Sequence, residues 1–76
     1  MSCRAALAVA DVRTGAIADA RAALEGIATS AAERQVVEAE LAFADHEDAR
    51  ACQAYRAACV KENDYACRRE RDLCGE

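Results

Sequence analysis

The chain has 76 residues, enough for one small domain, and 21 of its 41 apolar residues are Ala and 5 are Cys, which leaves 15 bulky side chains to build a core. It has no Pro and no Trp, only three Gly, a net charge of −4 and no apolar run longer than residues 5–10. These features exclude a membrane span, a collagen-like or Gly/Pro-rich linker chain, a large catalytic α/β domain and a phosphate-neutralising nucleic-acid binder.

Ala, Leu, Glu and Arg dominate the sequence, and all favour helix. Five helices are expected. The first runs from about residue 3 to 13 and ends at Thr14-Gly15, since Gly is suited to the left-handed residue that closes a helix. The second covers about 16–28, with Ile17, Ala20, Leu24 and Ile27 forming one apolar stripe. Ser30 and Glu33 have the spacing of a capping box and start the third helix, in which Val36, Val37, Leu41 and Ala44 are expected to face inward. The acidic stretch 45–48 suits a turn and a negatively charged first helical turn, and opens the fourth helix, about 47–62. Asn63-Asp64 provides the next cap, and the fifth helix runs to Cys74 before Gly75. The expected organisation is one all-α domain of short antiparallel helices: pairs at 3–28 and 31–62, then a final helix at 64–74.

Charge is uneven along the chain. Residues 1–48 carry four Arg and nine acids, and residues 49–76 carry six basic and five acidic residues. The one basic patch, Arg68, Arg69 and Arg71, is interrupted by Glu70 and reads as a solvated helix face.

Cys52, Cys59, Cys67 and Cys74 are spaced by seven, eight and seven residues. Residues seven apart share a helix face but stand about 10 Å apart along the axis, too far for a disulfide. Folding the chain back at Asn63 brings Cys59 to Cys67 and Cys52 to Cys74, the one pairing that suits two straight antiparallel helices. Such a cysteine density in a small chain points to an oxidising compartment, so a periplasmic or secreted location is expected. Four sulfurs at these spacings cannot surround one zinc ion at about 2.3 Å without breaking a helix, so no metal or other cofactor is expected. Cys3 is left over and reads as a free thiol.

Ala18-Asp19-Ala20-Arg21 recurs as Glu47-Asp48-Ala49-Arg50, 29 residues later. With Leu7, Ala8, Ala10 and Val12 before Gly15, and Ile17, Asp19, Ala20, Leu24 and Ile27 after it, the first helix pair resembles a tetratricopeptide repeat. In the second pair Ala39, Leu41, Asp48 and Ala49 align directly, while Ala51, Tyr55 and Ala58 align after a slip of two residues. The stretch from Tyr55 to Cys67, with Ala58-Cys59 ending one helix and Cys67 eight residues on, is similar to secreted, cysteine-rich Sel1-like repeats. That resemblance implies a Cys59–Cys67 bridge. The repeat resemblance also implies a non-enzymatic, protein- or peptide-binding module whose concave face draws on the first helix of each pair. Here those positions are Ala5, Val9, Arg13, Arg34 and Glu38, and an acidic face would select a basic partner.

No catalytic constellation is present in the sequence. His46 lies between Asp45 and Glu47 in a turn, where nothing orients it as a base. Glu38 and Glu40 are two apart and do not face each other on a helix. No enzymatic activity, nucleic-acid binding or membrane span is expected. Two other readings of the sequence are a small acidic inhibitor of a larger enzyme or nucleic-acid complex, and a cytosolic thiol- or metal-binding protein. Two repeat units are short for a stable array, which the disulfides or a homodimer would offset.

Overall fold

The structure is a computed structural model that describes residues 3–28 and 31–74. Among them it contains five helices and no strand: α1 (Cys3–Thr14), α2 (Ile17–Leu24), α3 (Ala32–Ala44), α4 (Asp48–Val60) and α5 (Asp64–Cys74). Consecutive helices pack as α1 on α2, α3 on α4 and α4 on α5, and α1 also lies along α3. The all-α expectation therefore holds, and apart from the end of α2 the helices lie near their expected places.

The three short turns share one geometry. Gly15, His46 and Glu62 all have positive φ, at 90°, 62° and 68°. In each turn the amide after this residue bonds a carbonyl five residues back: Ala16 to Asp11 at 2.7 Å, Glu47 to Ala42 at 2.9 Å and Asn63 to Ala58 at 3.3 Å. The left-handed residue itself bonds three back: Gly15 to Val12 at 3.2 Å, His46 to Phe43 at 3.0 Å and Glu62 to Cys59 at 2.8 Å. These are paired Schellman bonds, which satisfy the last carbonyls of a helix while turning the chain. Asn63 also caps α5, its Oδ1 accepting the Ala66 amide at 2.9 Å.

Helix α2 stops at Leu24, four residues short of its expected end at 28. The chain tightens there, with Glu25, Gly26 and Ile27 bonding three residues back at 3.0–3.2 Å. Two arginines from other helices take up the exposed carbonyls. Arg34 of α3 donates to Leu24 O at 2.6 Å and Ile27 O at 3.0 Å, and Arg4 of α1 donates to Gly26 O at 3.0 Å. Arg4 reaches its carbonyl by passing over Gly26, where a Cβ would stand 1.7 Å from Arg4 Nη1 and displace that guanidinium. The capping residue expected for α3, Ser30, lies outside the described residues; the cap position is Ala31, which makes no side-chain bond.

The core is built from Ala and Val around one large ring. Tyr55, Val36 and Val37 are the largest fully buried side chains, and Ala5, Ala8, Ala20, Ala39, Ala51, Ala58 and Ala66 fill the helix contacts. Such small residues let helix axes approach closely. The inward set of α3 differs from expectation at its end: Ala44 is exposed, and Ala39, Glu40 and Ala42 are buried instead. The register between the two helix pairs also differs. Gly15 and His46 occupy the same turn position and Ile17 and Asp48 both begin helices, so the pairs correspond at 31 residues, not 29. Ala20 and Ala51 are then both buried, as are Ala8 and Ala39, whereas the Ala49 of the recurring tetrapeptide is exposed.

Two disulfides join α4 to α5 in the nested pairing that the cysteine spacing implied. Cys52–Cys74 has Cα atoms 5.6 Å apart, and Cys59–Cys67 has them 4.6 Å apart. The start of α4 thus meets the end of α5, and these two helices run antiparallel. Cys3 is free and exposed.

Candidate functional site

The most chemically distinctive region of the molecule surrounds Glu40. Its carboxylate is 3% exposed, in the middle of α3. Four side chains from three other helices converge on it. Tyr55 of α4 and Tyr65 of α5 both donate their hydroxyls to Oε2, the second at 2.7 Å. Arg13 of α1 places Nε 3.7 Å from Oε1, and Arg69 of α5 places Nε 3.9 Å from Oε2. Arg13 also donates to the Tyr65 hydroxyl.

The rings and guanidiniums of this cluster stack as well as pair. Arg13 lies over the Tyr65 ring at 5.9 Å, and Arg69 lies 5.6 Å from the ring centroids of both Tyr55 and Phe43. The two tyrosine rings meet edge to face, 6.5 Å apart. A buried carboxylate is strongly disfavoured unless it is both paired and hydrogen-bonded, and Glu40 is both. Burial, then the hydrogen bond to Glu40, raises the Tyr55 hydroxyl far above its ordinary value. The same two causes raise Tyr65. Both phenols are therefore neutral donors at physiological pH.

The cluster is anchored from below and open from above. Tyr55 is fully buried, Tyr65 half-buried, and Arg69 keeps a 26% exposed side chain. Arg13 is 56% exposed and Phe43 40%. Among these side chains two guanidiniums face one carboxylate, an excess of one positive charge in a chain of net charge −4. The buried Arg69 Nε makes no hydrogen bond, so its pairing with Glu40 is purely electrostatic.

The five residues assigned to a partner-binding face in the sequence are dispersed. Ala5 and Val9 lie inside the core, where they pack between helices and cannot touch a partner. Arg34 is half-buried, caps α2 and pairs with Glu38 at 3.4 Å. Glu38 lines a groove of about 540 Å³ between α2, α3 and α4, together with Gln35, Leu41 and the Arg21–Asp45 pair. Only Arg13 belongs to the Glu40 cluster. The sequence singled out Glu40 only as an acid that does not face Glu38, and Arg69 as part of a solvated helix face. A signal was present: Glu40 falls three residues after Val37 and four after Val36, on the apolar face of α3. Two tyrosines in a core of Ala and Val also required polar partners for their hydroxyls.

His46 is exposed in its turn. No group of three or more His, Cys, Asp or Glu among the described residues is arranged to hold a metal ion, and none of the helices described is long and apolar enough to cross a membrane. No family model, curated protein or solved structure matches the chain.

Proposed function

We propose that the protein is a non-enzymatic interaction module, working in an oxidising compartment outside the cytosol, that binds a carboxylate-bearing segment of a partner protein. The observation that carries this reading is the face formed by Arg13, Phe43, Tyr65 and Arg69 over the buried Glu40. Arg and Tyr are the residues that most often supply binding energy at protein interfaces, and here they are pre-positioned by stacking and hydrogen bonds, which lowers the ordering cost of binding. The excess positive charge of this face selects an acidic group, so the expected partner charge is opposite to that inferred from the overall acidity. Acids elsewhere support this: Glu38, Asp45, Glu47 and Glu70 are each paired with an arginine of the same chain and do not form an acidic array. The helical-repeat resemblance fits the reading, since the face draws on α1, α3 and α5, the first helix of each successive unit. The exported location rests on the two disulfides.

A titration followed by nuclear magnetic resonance tests it, using a terminally blocked hexaglutamate peptide as probe and hexalysine as control. Hexaglutamate is expected to shift the resonances of Arg13, Phe43, Tyr65 and Arg69. Arg13→Gln is expected to weaken binding about tenfold, the effect of losing one charge-assisted hydrogen bond. Equal response to hexalysine, or shifts confined to the α2–α3–α4 groove, would sink the reading.

A further inference from the structure

We infer that α5 is a redox-releasable wall of the Glu40 face, so that opening the two disulfides dismantles the face while α1–α4 stay folded. The inference rests on the proposed function for its purpose, but not for its mechanics.

The helix that closes the face is thinly held by ordinary packing. Of its eleven residues, Asp64, Arg68, Arg69, Glu70, Arg71 and Asp72 are charged. Its only buried residue is Ala66, with Tyr65 and Leu73 partly covered, whereas the other fourteen residues of the buried core all precede α5. The remaining ties are polar or aromatic: Tyr65 to Glu40, to Arg13 and to the Tyr55 ring, Arg69 to Glu40 and to the rings of Tyr55 and Phe43, and Arg56 to Glu70 at 3.1 Å. An isolated helix of this length is marginal in water, so a detached α5 would also unwind. Both disulfides of the molecule close this one junction, at its two ends. All four of their cysteines are partly exposed, within reach of a reductant.

The chemistry is thiol–disulfide exchange with a dithiol reductant. A thiolate of the reductant attacks one sulfur of Cys52–Cys74 or Cys59–Cys67, forming a mixed disulfide and expelling the other cysteine as thiolate. The second reductant thiol displaces the remaining cysteine. The dithiol leaves as a disulfide, two electrons and two protons having passed to the cysteine pair. Each opened bridge raises the undocked fraction of α5 about a hundredfold, from the closure entropy of loops this short. Undocking carries Tyr65 and Arg69 away and leaves Glu40 with Tyr55 and Arg13.

Hydrogen exchange read by mass spectrometry on the full chain tests this, before and after dithiothreitol, with thiol alkylation confirming that both bridges are open. Amides of 64–74 are expected to lose protection at least about a hundredfold, and those of α1 and α3 to change little. A variant carrying Cys52→Ser, Cys59→Ser, Cys67→Ser and Cys74→Ser is expected to reproduce the reduced pattern without reductant. Retained protection of α5 in the reduced chain, or loss of protection in all five helices together, would overturn the inference. The hexaglutamate titration separates it from the functional reading. Binding by the oxidised chain alone supports gating, and equal binding by both forms overturns it. Selective release of α5 with no binding by either form keeps the wall and removes the function proposed for it.

Discussion

A carboxylate at 3% exposure would be expelled from most cores this small, and Glu40 stays because two phenols and two guanidiniums replace its lost water. The arrangement is asymmetric in what it tolerates. Removing the negative charge weakens the two phenol hydrogen bonds that a buried carboxylate accepts and takes the counter-ion from Arg13 and Arg69, which water still reaches. Glu40→Gln keeps the shape and is expected to lower unfolding free energy by about 2–3 kcal/mol, measured by urea denaturation. Glu38→Gln serves as the control two residues away. Its exposed pairing with Arg34 has i,i+4 geometry, and a loss below about 0.5 kcal/mol is expected.

Among the elements, the three hairpin turns repeat one backbone solution with three different residues. Gly15 adopts positive φ at no steric cost, while His46 and Glu62 adopt it against the preference of L-residues with a Cβ. Glu62→Gly is therefore expected to raise stability by about 1 kcal/mol, read as a higher urea midpoint with unchanged slope. This contrast also explains what could be read in advance. Thr14-Gly15 and Asn63 announce their turns through residues with local chemistry of their own. The cysteine spacing announces the α4–α5 hairpin, because a period of seven on a rigid helix leaves one geometric solution. The early end of α2 was hidden, since it depends on Arg4 and Arg34 arriving from other helices. The Glu40 cluster was hidden for the same reason: Arg13 and Tyr65 are 52 residues apart, and nothing local links them. The recurring tetrapeptide misled because it matched in letters two residues out of step with the helix starts.

For the whole molecule, the two raised tyrosines set an alkaline limit. In the unfolded chain they ionise near the ordinary value of 10.0, while in the folded protein burial and Glu40 keep them protonated. The folded state therefore binds more protons once pH passes about 10, and stability falls as pH rises above that point. The stability tied to these two hydroxyls is fully present at neutral pH, where both states are protonated, and does not vary with pH there. Urea midpoints are expected to decline from pH 10 upward, and Tyr55→Phe is expected to flatten that decline while lowering the midpoint at pH 7. The placement of the rings has one more consequence. The chain has no Trp, two Tyr and one Phe, and all three rings stand within this single cluster. Its ultraviolet emission is therefore a local optical signal, arising only where α3, α4 and α5 meet, so the unmodified protein carries a built-in chromophore for the one junction where change is expected.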